Sequence, residues 1–270
     1  MHLAVDRATD EGRSRRSFRL HVPSDYDSAV PSSLVLVFHG HGGNPAGMER
    51  ASGWSTYADR HQMIAVYPQG LPFGPGGTAF WASAGPVDFG IDDLAYVRKM
   101  LNNVQRHVCV DARRVYATGM SSGGAMAGYL ACRLSGRIAA VAPIAGNHYE
   151  LTKVGCDPRR PAALLEVHGT HDSVVPYDGI PDPVWPLPSI PRWLGYWRTH
   201  DRCPSRAEIF LRRHELVAMR WAPCADATAV ELYRTDGGHV MPSRLRPSST
   251  PAVLSAFFAQ HPLPAPKGRT

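Results

Sequence analysis

The chain is short of cysteine, of long apolar runs and of charge blocks, and each shortage removes a class of protein. Its 270 residues include five cysteines, too few for a disulfide scaffold, and none sits in the close Cys or Cys/His pairs that hold zinc. Structural metal is therefore not expected. No run approaches the ~20 apolar residues that a membrane span needs. Met1 to Leu20 is polar and Arg-rich, without the apolar core of a secretory leader. A secreted protein whose leader has been removed reads the same way, so the expected compartment is extracellular, with the cytoplasm as the alternative. The formal net charge is +6, but the arginine pairs Arg15/Arg16, Arg113/Arg114, Arg159/Arg160 and Arg212/Arg213 are scattered along the chain. That pattern reads as a solvated basic surface, so neither nucleic acid nor membrane is an expected partner. There is no internal repeat, no low-complexity tract and no linker.

What is present is apolar sequence in short, ordered pieces. At 44% hydrophobic residues the chain can bury a large core, and one globular domain over 1–270 is expected, acting as a monomer, with a disordered tail from about residue 262. Strand candidates are Ser17–Val22, Ser33–Gly40, Met63–Pro68, Arg114–Gly119, Ile138–Gly146, Ala163–Gly169 and Ala229–Thr235. Several are continuously apolar, as strands covered on both faces are. Between them lie helix candidates over 47–61, 122–134, 192–199 and 252–260. A further one begins at Asp92/Asp93 and places Leu94, Val97, Met100, Leu101 and Val104 on one face. Alternating strands and helices predict an α/β fold: a mostly parallel central sheet with helices on both faces and no large lid domain. Two Gly- and Pro-rich stretches, Gln69–Gly90 and Val175–Pro191, are expected to be loops that shape a pocket. Cys203/Cys224 and Cys132/Cys156 are the pairings open to the cysteines, against five reduced thiols; the odd count leaves at least one thiol unpaired in a monomer.

The chemistry gathers around "RVYATGMSSGGAMAG". Gly119-Met120-Ser121-Ser122-Gly123 matches G-x-S-x-G at a strand-to-helix junction, where a nucleophile sits on a strained turn and its neighbours two residues away must be small. Ser121 has Gly119 and Gly123 at those positions, whereas Ser122 has Met120 and Gly124. Ser121 is the candidate nucleophile, and Ser122 offers a backbone N–H at the start of the helix as an oxyanion donor. A serine needs a base and an orienting acid, expected here in the chain order Ser, Asp, His. Asp172 follows the strand "ALLEVHG", and His239 follows "AVELYRT". The rival acid is Asp178, and the rival bases are His200, His214 and His261. His168 reads as a strand-end packing or hydrogen-bonding residue and His171 as loop. A second oxyanion donor is expected from the His41 amide in "FHGHGG". Trp81 and Trp185 lie in the irregular loops; each either offers a flat surface to substrate or closes a core edge.

In order along the chain, "RSFRLHVP", "LVFHGHGG", "AVYPQG", "FWASAGPVDFGIDDLAYV", "RRVYATGMSSGGAMA", "VAPIAG", "VHGTHDSVVPY" and "GGHVMP" resemble the polyhydroxybutyrate depolymerase and feruloyl esterase family, α/β hydrolases related to carbohydrate esterase family one. The resemblance implies a serine esterase without metal or organic cofactor. It assigns nucleophile, acid and base to Ser121, Asp172 and His239. The expected substrate is a small or polymeric carboxylic ester: feruloyl or other aryl esters, hydroxyalkanoate polyesters or acetylated sugars. One departure stands out, since relatives commonly carry an aromatic two residues after the histidine, where this chain has Met241. Two other readings are a serine peptidase of the prolyl oligopeptidase type, whose large propeller domain this chain lacks, and a non-catalytic carbohydrate- or polyester-binding relative.

Overall fold

The computed structural model describes residues 9–11, 14–72, 76–85, 87–150, 154–245 and 247–265. Nine strands form the central sheet: β1 (Phe18–His21), β2 (Ser32–Phe38), β3 (Met63–Pro68), β4 (Val110–Met120), β5 (Ala140–Ile144), β6 (Ala163–Gly169), β7 (Glu208–Arg213), β8 (Leu216–Trp221) and β9 (Val230–Thr235). Their spatial order is β7-β8-β9-β6-β5-β4-β2-β3-β1. The block from β9 to β3 is parallel throughout, while β1 at one edge and the β7–β8 hairpin at the other run antiparallel to their neighbours. All seven expected strands are present. The β7–β8 hairpin, turning at His214 and Glu215, extends the sheet beyond them; β7 is largely exposed and charged at both ends, so it lacks the continuous apolar signature of the central strands.

Alternation along each strand divides the core between two faces. Leu34, Leu36 and Phe38 of β2 lie with residues of α3 (Asp93–His107), α4 (Ser122–Arg133) and α5 (Ile190–His200). Val35 and Val37 lie with α1 (Pro45–Ser52), α2 (Trp54–His61) and α6 (Thr250–Ala259). Tyr116 stacks on Phe258 at 4.7 Å between ring centres, and Phe258 stacks in turn on Trp54; burying each such ring is worth roughly 1.5–3 kcal/mol. The helix expected over 47–61 is two helices, because Gly53 adopts φ 71°, which ends α1 and lets α2 start at a new angle. Asp92 caps α3, accepting from the Ala95 amide at 2.8 Å. Disulfides join Cys132 to Cys156 and Cys203 to Cys224, and Cys109 is the free thiol. Within the stretch expected to be a tail, Leu263 is buried, and its N–H and C=O both bond Arg113; the rest of that stretch, 266–270, lies outside the described residues. No helix among the described residues is long and apolar enough to cross a membrane.

Candidate active site

Parallel strands send their carboxyl ends to one edge of the sheet, and the candidate residues follow β4, β6 and β9 there. Ser121 sits directly after β4 with φ 56° and ψ −124°, a backbone region that a residue with a Cβ occupies only under constraint, at a cost of about 1–3 kcal/mol. The constraint is visible. The Ser121 N–H donates to the Ile144 carbonyl at the end of β5, and the Ser121 carbonyl accepts from Ala125 inside α4, both at 2.9 Å. The glycines on either side permit the turn. A Cβ on Gly119 would lie 2.4 Å from the Gly123 carbonyl oxygen, and one on Gly123 would lie 2.3 Å from that of Phe38. Ser122 is the first residue of α4, so its N–H is one of the amides a helix leaves unpaired. Its hydroxyl is buried and has no hydrogen-bond partner among the described residues.

The loop after β2 lies against this turn: a Cβ on Gly40 would meet the Ser121 Cβ at 3.4 Å. His39 fixes it. Its Nδ1–H donates to the Gly40 carbonyl at 2.8 Å, and its Nε2 accepts from the Gly70 amide at 3.0 Å. That arrangement requires the neutral ring, and burial pushes His39 below the ordinary imidazole range. Of the two roles open to Trp81, its surroundings fit the closing of a core edge rather than a surface for substrate. It is 2% exposed, packs edge-on against Phe38, and donates its indole N–H to the His39 carbonyl at 2.8 Å. Being buried, it offers substrate no surface; it closes the core beneath the His39–Gly43 loop. The His41 side chain meets Thr78, Oγ1 to Nε2 2.6 Å. Trp185 is 41% exposed, in the loop after β6.

Asp172 and His239 meet. His239 Nδ1–H donates to Asp172 Oδ2 at 2.8 Å, while Asp172 Oδ1 accepts from the Val174 and Val175 amides at 2.9 and 2.8 Å. Burial alone would raise the carboxyl of Asp172, but those amides and His239 together hold it below the ordinary range. An ionised carboxylate only accepts, so Nδ1 carries the His239 proton and Nε2 is free to take another. The rivals lie elsewhere. Asp178 is exposed; His200 bonds Asp201 at the end of α5; His214 is in the exposed hairpin turn; His261 follows α6, packed on Phe257. His171 is exposed and pairs with Asp236. Met241 is partly buried and packs on the α6 side of the core. Sequence reasoning passed over Glu166, whose signal was a carboxylate in a strand buried on both faces: it bonds His168 and His148. Among the described residues no group of three or more His, Cys, Asp or Glu could hold a metal ion.

A parallel sheet flanked by helices, with a strained serine turn at its carboxyl edge, defines the α/β-hydrolase fold. Acetyl xylan esterase from Aspergillus awamori shares it, with a TM-score of 0.65 over 91% of this chain and 94% of that one at 15% identity. In sequence the chain is similar to feruloyl esterase B of Piromyces equi, 33% identical over 159 residues, which is 58% of this chain and 29% of that protein. It is also similar to poly(3-hydroxyalkanoate) depolymerase C of Paucimonas lemoignei, 34% identical over 131 residues, 48% of this chain and 31% of that protein. The resemblance expected from the motifs is thus borne out. The chain spans between 29% and 57% of the length of curated relatives it matches. No family model matches it.

Proposed function

We propose that the chain is a serine carboxylic ester hydrolase, a single catalytic domain in which Ser121 is the nucleophile, His239 the general base and Asp172 the group that orients it. The observation that carries this reading is the 2.8 Å Asp172–His239 bond at the same sheet edge as the strained Ser121 turn. His239 Nε2 takes the Ser121 proton as Oγ attacks the ester carbonyl. The oxyanion is received by the Ser122 and His41 amides; removing one such donor costs on the order of 3 kcal/mol of transition-state stabilisation. His239 then protonates the leaving alcohol and activates the water that releases the acid. No organic cofactor enters the scheme.

The rim supports a large or aromatic ester. Phe89, Val174, Val184, Trp185 and Val240 are exposed apolar side chains in loops following β3, β6 and β9, the strand ends that share an edge with the Ser121 turn. The names of the similar proteins, feruloyl esterase and poly(3-hydroxyalkanoate) depolymerase, bracket the candidates: a feruloyl or related aryl ester, or a hydroxyalkanoate polyester. Two disulfides fit an oxidising, extracellular setting. Turnover of methyl ferulate, a hydroxybutyrate oligomer, an aromatic polyester oligomer and acetylated xylan by the purified chain tests the reading. Hydrolysis of at least one ester, lost in Ser121→Ala with an unchanged melting temperature, is expected; full turnover in Ser121→Ala contradicts it.

A further inference from the structure

Behind Asp172 lies a second set of ionisable groups that the ester-hydrolysis scheme does not use. Glu166 and His168 project from the same face of β6, two residues apart, and both side chains are fully buried. Glu166 Oε1 receives His168 Nδ1 at 2.9 Å, and Oε2 receives His148 Nε2 at 3.1 Å. The other ring nitrogen of His168 lies 2.9 Å from the Val175 carbonyl and 3.6 Å from Asp172 Oδ2. A carbonyl and ionised carboxylates only accept, so both His168 nitrogens face acceptors. Such a ring is satisfied only when both nitrogens carry protons.

We infer that His168, gripped by Glu166, is a buried imidazolium that positions the Asp172 loop and keeps a positive charge beside the Asp172–His239 pair. The positioning runs through Val175, whose carbonyl bonds His168 while its amide bonds Asp172 Oδ1. Val175 is thereby clamped on both sides of its peptide chemistry, and the carboxylate it cradles is held in line with His239. The electrostatic part follows from charge. Asp172 and Glu166 are two buried carboxylates on one strand and its loop, and the cation between them disfavours further positive charge beside it. Burial alone would lower His168, but the Glu166 hydrogen bond and charge, the Val175 carbonyl and Asp172 together raise it. Glu166 is lowered despite full burial, because the charges and hydrogen bonds of His148 and His168 outweigh its loss of water. The surrounding elements contribute fewer charges. From α5, Trp193 stacks on His148 at 3.5 Å. The Tyr177 ring lies 6.1 Å from His168, with the Arg234 charge of β9 near its hydroxyl. Near the His239 loop, Asp236 Oδ1 and His171 Nδ1 meet at 2.8 Å, both side chains exposed.

His168 and Glu166 are thus positioning residues, and the inference rests on the proposed ester hydrolysis. It is tested by the pH dependence of kcat/KM for a p-nitrophenyl ester in wild type, His168→Gln and Glu166→Gln, alongside nitrogen-15 NMR of histidine-labelled wild type. Loss of the cation alone in His168→Gln should move the acid side of the kcat/KM profile upward by about 1 pH unit, Glu166→Gln, which removes the anion together with the cation it holds, should move it upward by less, and the His168 ring of wild type should show two protonated nitrogens at pH 8. An acid side that stays in place while kcat falls makes the network structural only and overturns the inference. So does a single ring proton on His168, a result that does not depend on either variant folding. Absence of ester turnover in wild type counts instead against the proposed function, and the NMR result still decides the state of His168.

Discussion

Replacing Gly123 with alanine tests the packing on which the nucleophile turn depends. The added Cβ would stand 2.3 Å from the Phe38 carbonyl oxygen and 2.5 Å from that of His39, both backbone atoms. Ordinary contact lies roughly 1 Å further out, so α4 must retreat from the end of β2 or the strand end must yield. Either movement is carried into the site. Ser121 and Ser122 open α4, and the His39 carbonyl that Trp81 anchors leads into the loop holding His41. A misplacement of about 1 Å costs about 100-fold in rate, and overpacking of this kind costs about 1–3 kcal/mol, or a melting temperature lower by about 2 to 12 °C. The assay is kcat/KM on a p-nitrophenyl ester beside a thermal melt. Gly195→Ala is the control, since its Cβ in the middle of α5 would meet nothing within 4 Å, and it should stabilise by ~1 kcal/mol without touching turnover. Wild-type kcat/KM and melting temperature in Gly123→Ala would refute the reasoning.

Four further outcomes are expected. Asp172→Asn should lower kcat by about 10³–10⁴-fold with little change in KM, because the amide can bond the wrong imidazole tautomer; steady-state kinetics check it. Trp81→Ala should destabilise by about 3–5 kcal/mol, whereas Trp185→Ala should stay within about 0.5 kcal/mol of wild type in denaturant melts, separating the buried ring from the exposed one. Reduction of the disulfides, whose cysteines are 24 and 21 residues apart, should cost roughly 3 kcal/mol each, read as a melting temperature that falls with added thiol. Burial pushes His261 down to about 4. Its folded form therefore prefers the neutral ring, and the stability it contributes is present above the ordinary imidazole value near 6.5 and lost as pH falls toward 4. Melting temperatures across that window should fall less in His261→Gln than in wild type.

The parts of the fold that were legible in sequence were those with a one-dimensional signature. Continuous apolar runs marked the six parallel strands, and glycines two residues either side separated Ser121 from Ser122 as the residue on the strained turn. Loops after successive strands placed Asp172 and His239 at one edge, where their hydrogen bond is found. What escaped depended on partners distant in the chain. Trp81 sits in a Gly- and Pro-rich stretch that reads as surface, yet Arg16, Phe38 and His39 bury it. The exposed β7 strand is held by β8 rather than by its own apolar content. Glu166 in "ALLEVHG" shows a charge where only apolar side chains are expected, but the sequence does not show that His148, 18 residues earlier, supplies one of its partners.

The central claim is that Ser121, and not its neighbour, is the nucleophile, and reaction with a fluorophosphonate followed by tandem mass spectrometry of the labelled peptide tests it most directly. One adduct per chain on Ser121, unchanged in Ser122→Ala and absent from Ser121→Ala, is the predicted result. An adduct on Ser122, or ester turnover by a chain whose Ser121 stays unlabelled, would contradict it.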